Sequence, residues 1–600
     1  MHQMVITPER QERLVNAVLL CIALGCVLVG AALLFLSAAR YDLALGVTRL
    51  VTGSRNPLNR AEYSILLPRI LAGGLFYGVV GFALLRFRRR LVSWTADAIP
   101  LLHTWATQGR QAVSQALRTQ SLWHLLSLGL VMVVGIVLRV LYLGEPPRKD
   151  ESFTYVIFAG RSIVHVLTLY PAPNNHILHS ALVWISCRVF GNSLWAMRLP
   201  ALLAGVTLIP LTYLTAMRLA GRNAALFAAG LIAVSGPFVL YSVNARGYAQ
   251  QAVLFVIMLY LAAELVAGAP AILWAVFSAA AVAGFYTSPT MLYSYLVVSF
   301  WLLWAGGRAM VRPMLIAGTI TALTVLFLYM PVIVVSGPGA LFWNPFVRPQ
   351  PLQEFRADAL RFPSDLLTFL HGGDPLPFII LIGVGVLLGL VFRISAGRRP
   401  AQLFVVLLLV LVSLPALQRI VPFPRALLPV FTVYYLIAAF GWSVAAEKWF
   451  ARHEVPMLIA FLTLLGAMAF HLTRSGSIEA HREFPESYDV ASYLARQLQP
   501  RDRLIISWSA GPQLVWQLRY AHVPYVDYST DPKATGRVLV AVQDKGVLPP
   551  RTSRLDPSIL TLDGTLREVG LNTTEYLPAS LIYRVGRGEV FELTPRHNPR

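Results

Sequence analysis

Ala17 to Leu36 is a run of 20 residues without a charge. As a helix it spans about 30 Å, the hydrocarbon thickness of a bilayer. Many such blocks follow along the 600 residues. Their length excludes a soluble fold, because a helix on a soluble core turns a polar face to water in every turn. Charged residues make up 13% of the chain, against about 25% in soluble domains. The chain therefore reads as a polytopic α-helical membrane protein.

About 13 spans can be placed, roughly 13–37, 64–86, 122–143, 199–218, 223–243, 248–266, 270–287, 289–306, 312–335, 377–394, 401–416, 426–446 and 455–473. Arg86, Arg88, Arg89 and Arg90 follow the second span. Arg218 and Arg222 bracket a tight turn. Arg308 and Arg312, then Arg393, Arg398 and Arg399, then Lys448 and Arg452 mark further short loops. All lie on one side if the N-terminus is cytoplasmic, as the positive-inside bias requires, and residues after Arg474 then lie outside. Arg40, Arg49, Arg55 and Arg60 run against the bias. His176 to Phe190 is apolar but only 15 residues long and contains Arg188, which predicts a helix lying at the outer interface. The excess of arginine gives a net charge of +21. It is scattered between spans, which argues against nucleic acid as a partner and leaves lipids and phosphate groups, which guanidinium grips bidentately. Cys21, Cys26 and Cys187 show neither metal-binding spacing nor a disulfide framework.

Two outer loops are long, 144–198 and 336–376, the second opening on Ser336-Gly337-Pro338-Gly339. Loops of that length commonly serve as lids or binding loops. From Arg474 charges return and apolar runs shorten. Tyr488–Leu498 and Gly511–Tyr520 have helical spacing, and Leu504–Ser507 and Val538–Val542 read as buried strands. The expected organisation is a transmembrane hairpin and basic cytoplasmic segment over 1–121, a membrane core over 122–473, and a small extracytoplasmic α/β domain over 474–600.

Four groups of residues carry chemical potential. Asp150-Glu151 sits just outside the third span in Arg148-Lys149-Asp150-Glu151-Ser152. A carboxylate there can take a proton from an acceptor hydroxyl or hold a divalent cation; a solvated loop is the plainer reading. Asn174-Asn175-His176 opens the interfacial helix, with His176 and His179 on one face. These are metal ligands, phosphate donors or wet interfacial histidines. Arg246, in Asn244-Ala245-Arg246-Gly247-Tyr248, lies close to hydrocarbon and needs a cavity-side partner, for which a phosphate is suited, or else snorkels. Arg425, after Pro422-Phe423-Pro424, has the same two readings. All fall on one aqueous face.

In this order the strings resemble the GT-C glycosyltransferases of family 39, the protein O-mannosyltransferases and bacterial relatives such as the lipid A aminoarabinose transferase. The matching strings are Arg148 to Tyr155, Asn174-Asn175-His176, Phe190-Gly191 through Arg198-Leu199-Pro200-Ala201, Tyr241 through Tyr248, Tyr286-Thr287-Ser288-Pro289 and Pro424-Arg425-Ala426-Leu427-Leu428-Pro429. Ile177, Ser288 and Ala426 stand where the family more often has proline, histidine and tyrosine. The resemblance covers about 122–475. It implies a GT-C fold in the plasma (inner) membrane and an inverting hexosyl- or pentosyltransferase with a polyprenyl-phosphate sugar as donor. The acceptor would be an extracytoplasmic lipid, glycan or protein. Asp150 and Glu151 would be catalytic and Arg246 and Arg425 would bind the donor phosphate. Asn175, His176, His179 and Tyr248 would bind substrate, and a divalent metal is an open point. A transporter or flippase of a lipid-linked sugar is the alternative.

Overall fold

The computed structural model describes residues 8–38, 60–344, 347–392, 399–450, 453–476, 478, 484–499, 502–507, 510–520, 523, 537–543 and 580–593. Arg40, Arg49, Arg55, Arg393, Arg398 and Arg452 lie outside these. The chain is a multi-pass helical membrane protein with a small sheet near its C-terminal end. Helix α1 (Pro8–Ala38) pairs with α2 (Arg60–Arg118), which runs unbroken for 59 residues. The loop-like basic segment expected after the second span is thus a continuation of that span's helix. Next come α3 (Leu122–Leu141), a short α4 (Lys149–Phe153), α5 (Ile163–Thr168) and α6 (Ile177–Phe190). With 14 residues, α6 is too short to cross hydrocarbon.

The core continues with α7 (Leu194–Ala220), α8 (Arg222–Val234), α9 (Gly236–Ser242), α10 (Tyr248–Val266), α11 (Leu273–Thr287), α12 (Met291–Gly306) and α13 (Val311–Val335). The loop 336–376 contains α14 (Pro338–Phe342) and α15 (Leu352–His371). Helices α16 (Leu376–Val391), α17 (Arg399–Gln418), α18 (Phe431–Trp449) and α19 (Glu454–Arg474) complete the membrane region. Among the described residues nine helices are long and apolar enough to cross a membrane, or eleven if each of two bent pairs is one span. The larger expectation of about 13 counts α11 as a span and separates α12 from α13, which a single 3₁₀ turn at Gly307–Met310 joins.

The break between α8 and α9 shows how polar groups are satisfied inside the apolar core. Pro237 lacks an N–H and cannot continue α8, so the two helices meet at 62°. The last carbonyls of α8 are left without helical partners, which is costly away from water. Arg139 of α3, fully buried, donates from Nη1 to the Ala233 carbonyl (3.0 Å) and from Nη2 to that of Ile232 (3.4 Å). Its Nε donates to Ser242 Oγ (3.1 Å) on α9. A guanidinium therefore bridges both sides of the break, its charge against the negative end of the α8 dipole. Gly205 makes room for this arrangement: a Cβ there would lie 1.8 Å from Ser242 Oγ.

Near the C-terminal end, α20 (Ser487–Gln497), β1 (Arg503–Ile506), α21 (Gly511–Tyr520), β2 (Val538–Gln543), β3 (Ser580–Val585) and β4 (Gly588–Leu593) form a four-stranded sheet in the order β1-β2-β4-β3. β1 and β2 are parallel, with α21 within the connection between them, while β2–β4 and β4–β3 are antiparallel. β2 is buried on both faces, packing Leu539 and Ala541 against Leu494 and Leu514 and turning Val538, Val540 and Val542 towards Ile505 and Leu593. This is why its sequence is continuously apolar.

Arg139→Met should destabilise the membrane core by roughly 1–3 kcal/mol for each carbonyl left unsatisfied. Gly205→Leu should fail by overpacking against Ser242. Thermal unfolding in detergent measures both, and wild-type stability in either variant would refute the bridging role.

Candidate active site

The site is assembled around one buried carboxylate. Glu151 lies in the first turn of α4, and its Oε1 accepts the Arg148 backbone N–H (2.8 Å), closing the turn. Arg198 of α7 donates to both its oxygens, from Nη2 to Oε1 at 2.5 Å and from Nε to Oε2 at 3.0 Å. The Ala245 N–H adds a bond to Oε2 (3.1 Å). Arg198 also donates from Nη1 to the carbonyls of Leu143 and Glu145, both at 2.7 Å. Both side chains are fully buried. Burial alone would raise the Glu151 pKa, but Arg198 and then Arg148 outweigh it and hold the carboxyl below its ordinary range. The pair thus ties together the end of α3, the α4 turn, α7 and the turn before α10.

This corrects one expectation. Glu151 has no oxygen turned to a substrate, since both are committed and none is exposed. It is a positioning residue for its neighbour. Asp150, one residue earlier, points the other way and is about one-third exposed, with Oδ2 3.2 Å from Arg425 Nη2. Arg425, similarly exposed, stands at the start of the 3₁₀ turn Pro424–Val430 and lies over the Phe423 ring.

Arg246 lies behind this pair and is almost fully buried. Its Nη1 donates to the Asn174 carbonyl (2.6 Å) and reaches Thr154 Oγ1 at 3.5 Å. Thr154 Oγ1 in turn donates to the Asp150 carbonyl (3.1 Å), as Asn174 Nδ2 does at 3.5 Å. Asp150 and Arg246 are therefore held by the same two residues. Tyr248 sits under the Arg246 guanidinium (5.6 Å), its ring edge-on to His176 and Tyr241. The Nε atoms of Arg246 and of Arg425 have no acceptor among the described residues.

His176 is also buried. The Gly247 N–H points at Nδ1 (2.9 Å) and Arg246 Nη2 lies 3.1 Å from Nε2. Burial, then the charge of Arg246, holds its pKa well below the ordinary value, so the ring is neutral. A neutral ring accepts at only one nitrogen. Whichever tautomer is present, one donor faces another, and an acceptor entering beside Arg246 relieves that clash.

The remaining expected residues are fully buried. Asn175 is fully buried and donates from Nδ2 to the carbonyls of Val166 (2.8 Å) and Leu169 (2.9 Å), closing the end of α5. His179 is fully buried behind Gly247, and burial followed by Arg246 lowers its pKa to about 4. Asn175 and His179, expected to contact substrate, are thus both enclosed by protein. Cation ligation fits poorly too. Among the described residues no three His, Cys, Asp or Glu side chains converge, Glu151 is committed to Arg198, and Asp150 faces a guanidinium.

Sequence reasoning missed Arg198, Thr154 and Asn174 as parts of the site. It also missed the π-helix Thr154–Ala159 directly after α4, where the Gly160 N–H reaches back to the Tyr155 carbonyl (2.7 Å). Such widened turns are common at functional sites. Its Tyr155 and Val156 pack on Val515 and Trp516 of α21, and Gln513 donates to the Pro147 carbonyl (3.4 Å). The C-terminal region thus props the loop that carries Asp150. On the other side, Phe369 of α15 packs against Tyr241.

Residues 173–334 match the family model described as dolichyl-phosphate-mannose-protein mannosyltransferase. In three dimensions the chain is similar to ArnT from Cupriavidus metallidurans in the apo state, with a TM-score of 0.52, 15% identity, and coverage of 78% of this chain and 97% of that chain. The shared fold is that of the GT-C membrane proteins. The structure of the same ArnT bound to undecaprenyl phosphate gives a TM-score of 0.51 at 15% identity, covering 78% of this chain and 98% of that one. The apo oligosaccharyltransferase of Archaeoglobus fulgidus is more distant, at 14% identity and a TM-score of 0.45, covering 71% and 70% of the two chains. No curated protein matches in sequence.

Glu151→Gln should cost roughly 3–5 kcal/mol, because Arg198 stays buried without its counter-charge. The pH dependence has a definite sign. A carboxyl with a depressed folded pKa contributes its full stabilisation above the ordinary value of 4.5 and loses it as pH falls through the depressed one. Thermal unfolding of wild type and variant between pH 7 and acid measures both. A Gln variant as stable as wild type contradicts the assignment.

Proposed function

We propose that this enzyme transfers a sugar from a polyprenyl-phosphate carrier to an acceptor hydroxyl on the extracytoplasmic side of the membrane, with inversion at the sugar carbon. The observation that carries this reading is the pairing of an accessible carboxylate with accessible and buried guanidinium groups at one mouth. Asp150 and Arg425 are 3.2 Å apart there, and Arg246 is joined to Asp150 through Thr154 and Asn174. The ArnT relative that binds undecaprenyl phosphate supports a lipid-phosphate ligand. The arginines between spans that precede short turns on the opposite face support the orientation.

In this scheme the acceptor oxygen attacks the sugar carbon as Asp150 takes its proton. The bond from that carbon to the lipid phosphate breaks on the opposite face, and its electron pair leaves with the phosphate oxygen. Arg425 and Arg246 face that oxygen and stabilise the charge as it develops. An anionic oxygen beside Arg246 also supplies the acceptor that His176 and Arg246 lack, and Nε of each arginine remains to bind it. Glu151 and Arg198 keep Asp150 aimed. A transporter or flippase would hold its charged groups near mid-membrane, whereas here they stand where α3, α7 and α10 end or begin.

Asp150→Asn keeps the shape and removes the base. Transfer should fall about 100-fold or more while binding of polyprenyl phosphate persists. Arg246→Lys should lose roughly 2–3 kcal/mol of transition-state stabilisation, since one ammonium cannot bridge Asn174, Thr154 and the phosphate. Rates with a polyprenyl-phosphate sugar and an envelope-lipid acceptor extract measure both. Near-normal transfer in the Asn variant overturns the mechanism, and near-normal transfer in the Lys variant overturns the phosphate role.

A further inference from the structure

The second half of α2 takes no part in the site. Gly73 lies against Val334, near the end of α13 that touches the site loops through Ser336 and Thr168. Further along, Leu102, Trp105 and Leu117 pack on the core, and Trp105, Val113 and Leu117 face Leu214, Met217 and Tyr260. These last residues are at the far ends of α7 and α10 from Arg198 and Tyr248. The helix therefore crosses the membrane and then runs on along the face opposite the site, held at the surface by its own span.

This part of α2 is basic and amphipathic. Residues 86–118 contain six arginines, Arg86, Arg88, Arg89, Arg90, Arg110 and Arg118, and one acid, Asp97. All of the arginines except Arg88 are exposed. Phe87, Trp94 and Leu101 follow one another at intervals of seven, so they form a single stripe, and each is about half exposed at 48, 53 and 51%. Ala98, Leu102 and Trp105 make up the face turned to the core. Among the described residues the stripe is left half open, and on a helical projection Arg90 and then Arg86 border it on one side.

We propose that residues 86–118 form an anionic-lipid binding surface, with Phe87, Trp94 and Leu101 inserted at the acyl boundary and the arginines on phospholipid phosphates. A helix with an aromatic and aliphatic edge beside arginines is suited to the interface plane. Each arginine near an anionic leaflet adds to the attraction. The attachment to a membrane span brings the surface to the headgroups at no cost of association. The surface lies away from the Asp150 mouth, so the proposal does not depend on the transferase reading.

The test uses the full chain in nanodiscs of phosphatidylcholine with a fraction of phosphatidylglycerol, and spin-labelled versions of each lipid as probes. Wild type should prefer the phosphatidylglycerol probe. Combined Arg86→Gln, Arg89→Gln and Arg90→Gln should reduce that preference about fivefold or more, as should high salt. The corresponding Lys substitutions, which keep charge and share any effect on folding, should retain it. A fluorophore on Trp94→Cys, in a chain whose three native cysteines are replaced, should be shielded from aqueous iodide only when phosphatidylglycerol is present. Equal preference in wild type and the Gln variant would overturn the proposal. So would a label open to iodide in every lipid, a result that assigns the stripe to a protein partner.

Discussion

A single fully buried ion pair, Glu151 with Arg198, fixes where Asp150 and the charged groups around it stand. Each partner satisfies more than the other. Arg198 takes up carbonyls of Leu143 and Glu145 and Glu151 takes the amides of Arg148 and Ala245. Three separate stretches of chain thus meet at one carboxylate. Replacing such a pair by apolar residues need not reduce stability, but it would release the register of those stretches. Asp150 is useful because it is the neighbour of a residue that cannot move. Adjacent residues on one turn point apart, so immobilising Glu151 in the interior leaves Asp150 partly exposed and facing Arg425.

The membrane architecture was legible in the sequence because long apolar blocks admit one solution, and the arginine spacing ordered the loops. Asp150, Arg246 and Arg425 were legible as unusual charges close to hydrocarbon. The job of Glu151 was not, because its partner lies 47 residues away in the chain and both are hidden in the fold. Nothing local distinguishes an acid that faces substrate from one that faces a buried arginine. The burial of Asn175 and His179 was hidden for a related reason. Helical spacing puts His179 at an outer interface, but the turn at Gly247 packs over it, and Asn175 is held by the carbonyls of Val166 and Leu169. Strands β3 and β4 were not foreseen because their charged residues, Arg584, Glu589 and Glu592, interrupt the apolar run that revealed β2.

Arginine serves three ends here, set by what surrounds the guanidinium. Arg139 and Arg198 are fully buried and bind carbonyls or a carboxylate, so they organise the backbone. Arg246 and Arg425 keep part of the fork unbonded at a cleft, which fits them to a charge that arrives and changes. Those along the second half of α2, Arg88 apart, are exposed. The net positive charge of the chain is therefore a sum of unlike contributions and not one electrostatic field.

The most direct measurement is mass spectrometry of envelope glycolipids, glycans and glycoproteins from cells that lack this chain, carry it, or carry the Asp150→Asn variant at equal abundance. The account predicts a species heavier by one sugar residue that is present only with the wild-type chain. Its restoration by the Asn variant would contradict the assignment of Asp150 as the base, and its absence from all three would contradict transfer itself.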